Sequence, residues 1–463
     1  RYLDLRKPKN QKTLMTRARV MKLTRDYLDD NGFCEIETPV LGKPTPEGAR
    51  DFLVPSRVQK GHFFGLPQSP QLFKQILMIS GMDRYYQIAK CFRDEDLRQD
   101  RQPEFTQIDM EMSFVRKDDI LPIMEGLISK IFREVRGIEL ETPFLRMTYD
   151  EAMDRFGSDK PDMRFGMELN NISDIVKDSD FKVFASAVKK GGSVRAINAK
   201  NAQDKLSKKA LKHLEKFVEI YKAKGLAWID VKEDASAMKS PILKFISEEE
   251  KQAIMDRMGA ENGDIIFIVA DTDEIAQVSL GQLRLELADR LDLIPEDVFK
   301  FLWVIDFPLL EYSAEEGRYV AKHHPFTAPL DKDMHMLDDH PEKVHADAYD
   351  MVVNGVELGG GSIRIHNQDV QEKMFKAIGM SQETAWKQFG FLLEALKYGT
   401  PPHGGLAFGL DRLIMMLMDI DNIRDVIAFP KTQNHSCLMS EAPGTAELDQ
   451  LIDLGIMIDD TIQ

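Results

Sequence analysis

An arginine and an aromatic residue stand at the facing ends of two predicted strands. Arg93 follows the strand predicted for Tyr86 to Phe92, and Phe105 opens the strand predicted for Phe105 to Phe114. The loop between them is polar and charged, so an antiparallel pair is the simplest assignment. A guanidinium and an aromatic ring placed in this way can hold a phosphate and a base together. The pattern predicts a nucleotide-binding hairpin.

Two carboxylates flank the strongest short turn signal in the chain. The dipeptide Asn354-Gly355 separates strands predicted at 349–353 and 356–358, which is typical of a two-residue hairpin. Asp350 and Glu357 then share one face as diagonal neighbours, with Cα atoms about 7 to 8 Å apart. Mg²⁺ suits such a pair because it binds one or two carboxylates together with substrate phosphates. Two solvated acids on an edge hairpin are the alternative, which the sequence leaves open.

Three glycines, Gly359 to Gly361, follow this hairpin and precede Arg364. Successive glycines in a strand indicate a bulge or the close approach of another group. Because strict alternation would place Arg364 on the face opposite Glu357, we predict a bulge that brings both side chains to one cleft. A guanidinium there can bind a carboxylate in bidentate fashion.

The strand that begins at Phe105 carries its polar side chains on one face. Gln107, Asp109 and Glu111 alternate with apolar Ile108 and Met110. The polar face is either solvated, as is common for antiparallel sheets, or part of a site. The sequence alone does not decide between the two.

The rest of the sequence predicts a chain with more than one domain. A helix at 14–31, capped by Gly32, leads into a strand at 33–38 that Pro39 stops. Strands at Ser193–Ala199, Leu226–Val231 and Ile265–Ala270 alternate with lysine-rich helices. We therefore predict segments at 1–157, 158–293 and 294–463, the second being an inserted α/β domain. Its lysines could contact nucleic acid or form a solvated helix face; they are Lys205, Lys208, Lys209, Lys212 and Lys216.

Composition narrows the class of protein. With 463 residues, 43% hydrophobic and 30% charged, the chain is typical of a globular protein with two or three domains, and it lacks the apolar run of roughly 18 residues that a membrane span needs. The three cysteines show no CxxC spacing, and P-loop, dinucleotide-binding, zinc-protease and nucleophile-elbow motifs are absent. The formal charge of −16 means that local basic patches would have to carry any contact with nucleic acid.

Three segments together resemble the motifs of class II aminoacyl-tRNA synthetases, in particular the bacterial aspartyl-tRNA synthetases. They are Gly32 to Leu41, the Arg93 to Phe105 hairpin, and Gly405 to Arg412. The segments Gln68 to Lys74 and His323 to Phe326 match the aspartyl group. The resemblance implies an α+β fold in which an antiparallel sheet is flanked by helices, with an inserted GAD-like domain. The chain opens directly in what resembles the catalytic domain, so we expect a fragment without the anticodon-binding OB domain.

The resemblance also implies roles for individual residues. Arg93 would hold the ATP α-phosphate and the amino-acid carboxylate, while Phe105 and Arg412 would enclose adenine. Glu95 and Gln102 would belong to the adenosine shell, and Asp350 and Glu357 would bind Mg²⁺. Lys74 and Arg364 would bind the side-chain carboxylate of L-aspartate. The rest of the aspartate pocket would comprise Glu47 in a closing loop, Gln71, Gln107, Asp109, His323 and His324.

An aspartate tRNA ligase is the implied activity, with ATP, Mg²⁺, L-aspartate and aspartate tRNA as reactants. The resemblance further implies a cytoplasmic homodimer formed through Gly32 to Leu41, without a membrane segment. Charging of asparagine tRNA as well is left open. Lysyl and asparaginyl synthetases, an aspartate-activating paralogue that works without tRNA, and an inactive sensor are the alternatives. Lys74 and Arg364 argue against a cationic substrate.

Overall fold

The computed structural model describes residues 1–45, 49–232 and 238–459. Contacts divide the chain into two compact units. The first unit comprises Arg1–Phe144, Asp306–Asp350 and Leu358–Gln463, and the second comprises Leu145–Ile305 and Met351–Glu357. The predicted boundaries of the inserted domain, 158 and 293, remain a prediction.

The helices and strands follow one another along the whole chain. Up to residue 144 they are α1 Pro8–Asp30, β1 Cys34–Glu35, β2 Leu53–Pro55, β3 Phe63–Gly65, α2 Gln71–Ile79, β4 Arg84–Phe92, β5 Glu104–Ser113 and α3 Lys117–Arg136. From 145 to 305 they are β6 Leu145–Thr148, α4 Tyr149–Phe156, β7 Asn170–Asn171, α5 Ser173–Val176, α6 Lys182–Lys189, β8 Ser193–Ala199, α7 Lys208–Ile220, β9 Ala227–Asp230, α8 Glu248–Met258, β10 Ile265–Asp271, α9 Asp273–Arg290 and β11 Phe301–Ile305. After residue 305 they are β12 Leu310–Ser313, β13 Arg318–Ala321, β14 Ala348–Val353, β15 Val356–Ile363, α10 Gln368–Ala377, α11 Gln382–Ala395, β16 His403–Gly409, α12 Leu410–Met418 and α13 Leu448–Leu454.

The first unit is built on an antiparallel sheet with neighbouring strands in the order β4, β5, β16 and β15. The β4–β5 pair runs without interruption from Arg84 opposite Met112 to Phe92 opposite Glu104. Helix α2 packs on the face of β5 that carries Asp109, because Lys74 reaches that side chain, and Arg17 of α1 donates to the Thr106 hydroxyl on the opposite face. The start of α12 is tied to β5 by the hydrogen bond from the Thr106 amide to Asp411. The predicted sheet flanked by helices is confirmed, and both faces of β5 are covered.

The first helix is longer than the periodicity predicts, and the strand after it is shorter. Helix α1 begins with Pro8 at its first turn, where the missing N–H of proline costs no hydrogen bond, and Gly32 follows its end with a φ of 77°. Of the strand predicted at 33–38, only Cys34 and Glu35 form a ladder, which is parallel to β4.

The second unit contains a four-stranded antiparallel sheet with the order β7, β8, β10, β9. Strand β8 has the bounds that the sequence predicts, and the other two predicted strands shift by a residue or less at each end. Side chains from β8 and β10 alternate between two apolar clusters. Helices α7 and α9 cover one face of the sheet through Leu214 and Leu280, and α5, α6 and α8 cover the other through Val176, Phe184 and Ile254.

The Asn354-Gly355 turn forms as predicted. Both residues have positive φ, 52° and 81°, as the favoured two-residue hairpin turn requires. Within the described ranges, no helix is both long and apolar enough to span a bilayer.

Candidate active site

Four charged side chains meet in the buried interior of the first unit. The ammonium of Lys74, on α2, lies 2.7 Å from Asp109 Oδ1 and 3.2 Å from Glu111 Oε2, both on β5. Arg364, which follows β15, donates from Nε to Glu111 Oε1 at 2.9 Å and from Nη2 to Glu111 Oε2 at 3.2 Å. All four side chains are at most 3% exposed. Asp109 and Glu111 are therefore buried and do not form a solvated face, while their place in a binding site stays a prediction.

Helix α2 contributes Lys74 because its buried residues recur at helical spacing. Gln71, Lys74, Gln75 and Met78 lie on one face and turn toward the sheet. Polar residues on a buried helix face are uncommon unless they are paired. Nε2 of Gln71 and both side-chain polar atoms of Gln75 have no hydrogen-bond partner in the described structure, and neither does Asp109 Oδ2. A bound polar ligand would supply the hydrogen-bond partners that these buried donors and acceptors lack.

His324 and Ser362 extend the network on the Arg364 side. Arg364 Nη1 donates to Ser362 Oγ at 2.7 Å and lies 2.8 Å from His324 Nε2. The ring nitrogens of His324 face two donors, Arg364 at Nε2 and the Phe326 backbone N–H at Nδ1 (3.1 Å), so at least one of them is an unprotonated acceptor and the ring is neutral. Burial, followed by the positive charge of Arg364, lowers the pKa of His324 well below its ordinary value. A neutral imidazole therefore lies next to the Arg364 guanidinium and adds no second positive charge there.

The two buried carboxylates differ in protonation behaviour. Burial raises the pKa of Asp109, and attraction to Lys74 offsets only part of that effect. Burial also acts to raise the pKa of Glu111, but the charges of Arg364 and Lys74 outweigh it and the pKa lies below the ordinary value. Glu111 is therefore the fixed anion of the group.

Glycines on β16 and β15 make room for this arrangement. A Cβ added at Gly405 would lie 2.1 Å from Glu111 Oε2, and one added at Gly361 would lie 1.9 Å from the carbonyl oxygen of Gly405. The register of β15 against β16 is uninterrupted from Gly359 to Ile363. The predicted bulge is therefore wrong for this stretch; the glycines permit close approach of a neighbouring strand instead.

The predicted nucleotide hairpin places its arginine over its aromatic ring. The guanidinium carbon of Arg93 lies 5.0 Å from the centroid of Phe105, within cation–π range. Arg93 Nε is buried and has no hydrogen-bond partner in the described part of the chain. Arg412 Nη2 contacts Asp100 at 3.3 Å, and Glu95 accepts from Arg101 at 2.9 Å.

Gln102, predicted to lie in the adenosine shell, forms hydrogen bonds with the protein backbone through its side-chain amide. Its Nε2 donates to the carbonyl of Lys431 at 3.1 Å, and its Oε1 accepts from the Lys431 amide at 2.8 Å. Lys431 in turn pairs with Glu104 at 2.6 Å. The amide group of Gln102 thus fixes a C-terminal loop beside β5.

Asp411 was not predicted to hold the site together, yet it connects three elements. Its carboxylate accepts from Arg17 Nη1 on α1 at 2.6 Å and from the Thr106 amide on β5 at 2.8 Å. Asp411 directly precedes Arg412 on α12, so its ion pair with Arg17 fixes the start of the helix that carries Arg412. The resemblance pointed to the position without indicating what it contacts.

Three further predicted residues have contacts of their own, and a fourth falls outside the described residues. Gln107 accepts from Cys91 Sγ at 3.3 Å. His323 Nε2 lies 4.0 Å from Asp350 Oδ1, and Asp350 is buried rather than solvated. Glu47 falls outside the described residues.

Glu357 belongs to the second unit, where its carboxylate pairs with Lys160 at 3.1 Å. Among the described side chains, no group of three or more His, Cys, Asp and Glu has the arrangement of a metal site. The donor chemistry of the hairpin nevertheless fits a hard cation, because both predicted ligands are carboxylates and substrate phosphates supply the remaining oxygens for Mg²⁺.

Comparison with known proteins shows similarity to class II tRNA synthetases and to aspartate--tRNA ligases. The family model "tRNA synthetases class II (D, K and N)" matches residues 1–433. The chain is 61% identical over 458 residues to an aspartate--tRNA ligase of Ruminiclostridium cellulolyticum, covering 99% of this chain and 77% of the relative. It is 59% identical over 459 residues, with the same coverage, to a protein of Thermoanaerobacter sp. (strain X514) named aspartate--tRNA(Asp/Asn) ligase. An aspartate--tRNA ligase of Clostridium botulinum (strain Kyoto / Type A2) is 59% identical over 456 residues, covering 98% of this chain and 76% of the relative.

Proposed function

The chain belongs to the class II tRNA synthetases for aspartate, lysine and asparagine, and we propose that it activates L-aspartate with ATP and transfers the aspartyl group to the 3′ end of tRNA. Members of this family use ATP. The observation that carries the choice of amino acid is the buried pair of cations, Lys74 and Arg364, held on Glu111.

The charges of this cluster favour an acidic side chain. Lys74 and Arg364 balance Asp109 and Glu111, and His324 is neutral, so the group has no excess negative charge to attract a lysine substrate. After its contacts with Glu111, Ser362 and His324, Arg364 keeps one N–H on Nη2, and this group and the Lys74 ammonium can donate to both oxygens of a carboxylate, whereas the amide of asparagine has one acceptor oxygen. We propose that the substrate side chain lies against Lys74 and Arg364, and that Gln71, Gln107 and Asp109 orient its remaining groups. Glu47, His323 and His324 complete the proposed pocket.

The reaction we propose needs no protein nucleophile. The α-carboxylate of aspartate attacks the α-phosphorus of ATP, the bond to the β-phosphate oxygen breaks, and pyrophosphate leaves. A terminal ribose hydroxyl of tRNA then attacks the carbonyl carbon of the adenylate, and AMP leaves. Arg93 would stabilise charge on the α-phosphate, while Phe105 and Arg412 would enclose adenine. Glu95 and Gln102 would border the adenosine.

We propose that Asp350 and Glu357 hold Mg²⁺. When bound, the ion would neutralise part of the negative charge on the phosphates. Lys160, which pairs with Glu357 at 3.1 Å, would have to release that carboxylate when the ion binds.

Partners and location are part of the same proposal. One relative is named for both aspartate and asparagine tRNA, so we propose aspartate tRNA as a substrate and asparagine tRNA as a candidate second one. We propose a cytoplasmic homodimer formed through Gly32 to Leu41. The exposed side chains of Val40 and Leu41 support this surface as an interface.

Exchange of label between pyrophosphate and ATP tests the activation step. The chain would be assayed with Mg²⁺ and aspartate, asparagine, lysine or glutamate, without tRNA. We expect exchange with aspartate alone. Exchange with asparagine or lysine instead would contradict the proposal, and no exchange with any of the four in a folded sample would favour an inactive paralogue. Transfer of labelled aspartate to tRNA then separates a ligase from a tRNA-independent enzyme.

A further inference from the structure

Positive charge is concentrated in one stretch of the second unit. Residues 177–224 contain thirteen Lys and Arg against five Asp and Glu, a formal net charge of +8 in a chain whose total is −16. A local excess of this kind attracts polyanions even when the whole molecule is acidic. The structure shows where these side chains lie relative to the sheet of the second unit.

Five of the lysines line a single groove beside α6. We call it the lysine groove and define it by Lys177, Lys182, Lys189, Lys190 and Lys224. Its volume is about 1450 Å³. All five lysines are exposed.

Few of these charges are neutralised. Two acids, Asp178 and Asp271, also line the groove, and Lys224 pairs with Asp271 at 3.2 Å. The other four lysines make no ion pair with any described residue. Counted over the described residues that line it, the lysine groove therefore keeps a net positive charge.

The floor of the lysine groove is apolar and partly aromatic. Phe181, half-buried, stacks on Phe245 with ring centroids 5.5 Å apart and meets Phe184 edge-on at 4.7 Å. Strand β10 contributes Ile268. Lysines beside an accessible aromatic ring suit a chain of phosphates and bases better than they suit a small anion.

We infer that the lysine groove binds the sugar-phosphate backbone of RNA, and that its occupant is the tRNA of the proposed reaction. This inference rests on the proposed function for the identity of the RNA. The charge and size of the groove carry the RNA assignment itself, because each lysine can neutralise one phosphate and release its counterions.

The other face of the same sheet provides a matched control. Helix α7 packs on the opposite apolar cluster from α6 and carries Lys208, Lys209 and Lys212, all exposed. Replacing Lys182, Lys189 and Lys190, on α6 and at its end, or the three lysines of α7 removes the same charge from the same unit. Long-range electrostatics alone would make the two triple variants behave alike.

The experiment compares K182Q/K189Q/K190Q with K208Q/K209Q/K212Q. Binding of an aspartate tRNA transcript would be measured directly across a series of salt concentrations. We expect the groove variant to bind on the order of tenfold more weakly, and the slope of log Kd against log salt to fall by about 2 to 3, since each lost phosphate contact lowers it by roughly 0.9 or less. The α7 variant should bind like the unmodified chain. Equal weakening of both variants, or of neither, would overturn the inference.

A second measurement uses the unmodified protein and does not depend on the variants folding. Acetylation of lysines in the presence and absence of tRNA, read by mass spectrometry, should show protection of Lys182, Lys189 and Lys190 but not of Lys208, Lys209 and Lys212. The reverse pattern would overturn the inference. Aspartate-dependent pyrophosphate exchange needs no tRNA, so failure of exchange would contradict the proposed function while leaving the RNA measurement interpretable.

Discussion

Glu111 holds the guanidinium of Arg364 through two hydrogen bonds, at 2.9 and 3.2 Å, and the same carboxylate lies 3.2 Å from the ammonium of Lys74. One fully buried anion thus positions both cations that we propose for the substrate carboxylate. Without it, the charge of Arg364 would be buried without its carboxylate partner, and Lys74 would keep only Asp109. The binding geometry of the proposed pocket is therefore set before substrate arrives.

Replacing Glu111 by glutamine tests this positioning. Glu111→Gln keeps the shape of the side chain but removes the charge that pairs with Arg364 and Lys74. We expect the free energy of unfolding to fall by about 3 kcal/mol, the scale of breaking a buried ion pair, and KM for aspartate to rise more than about tenfold. Urea denaturation and pyrophosphate exchange measure the two effects.

The matched control for this variant lies on the same strand. Glu104→Gln removes a partly exposed carboxylate whose partner is Lys431. We expect a much smaller loss of stability there, because exposed ion pairs contribute little. Similar losses at both positions would show that Glu111 has no special role.

Burial of His324 predicts a pH dependence of stability. Its pKa is lowered by burial and by Arg364, so the folded chain stays unprotonated at His324 while the unfolded chain binds a proton as the pH falls through about 6.5. The unfolded state is then favoured, and the free energy of unfolding should fall by up to about 1.4 kcal/mol per pH unit for this proton. His403, also buried with a lowered pKa, adds a contribution of the same sign.

Denaturation at a series of pH values between about 5 and 7 measures this slope. His324→Gln should reduce the slope by roughly the contribution of one proton. His335→Gln, at an exposed histidine of the same unit, is the control and should leave the slope as it is. An unchanged slope in His324→Gln would rule out the proposed contribution.

Sequence patterns located the polar side chains of β5 but could not tell that they are buried. Alternation places Asp109 and Glu111 on one face whatever covers it. Their burial depends on Lys74, 35 residues from Asp109, and on Arg364, 253 residues from Glu111. Glu111 was therefore seen as a member of a polar face and missed as the centre of the network. The signal that could have revealed it is Gly405, where only a glycine leaves space for that carboxylate.

Contacts between segments that are distant in the sequence also explain why the contacts of Asp411 and Gln102 were not predicted. Asp411 meets Arg17 across 394 residues, and Gln102 meets the Lys431 backbone across 329. Neither partner has a local sequence signature. By contrast, β8 matches its predicted bounds because apolar residues on both of its faces are a local property.

Arg93 is expected to act mainly on the rate of activation. Arg93→Ala should lower aspartate-dependent pyrophosphate exchange by at least about 100-fold, the scale of losing one donor to a developing charge. A larger effect on kcat than on KM is expected, because the proposed contact strengthens as charge develops on the α-phosphate.

The control for Arg93 is an arginine outside the hairpin. Arg133→Ala removes an exposed guanidinium from α3 and should leave exchange close to that of the unmodified chain. Near-normal exchange in Arg93→Ala would exclude the role proposed for Arg93.

Gly405 should tolerate no side chain, because of its position against Glu111. In Gly405→Ala the new methyl group would lie 2.1 Å from both Glu111 Oε2 and the carbonyl oxygen of Met110. We expect the variant to lose about 1 to 3 kcal/mol of stability through overpacking and to bind aspartate more weakly, because Glu111 must move and carries Arg364 with it. Gly444→Ala, at a position with open space around the added Cβ, should change neither quantity.

Combining Gly405→Ala with Glu111→Gln decides whether the new methyl group acts through Glu111. The Gly405→Ala, Glu111→Gln double variant should lose less stability than the sum of the single variants, by at least about 0.5 kcal/mol, because both disturb one contact. Additive losses would place the effect of Gly405→Ala on the Met110 carbonyl instead. In that case the glycine would serve the pairing of β16 with β5, and Glu111 would owe its position to Arg364 and Lys74 alone.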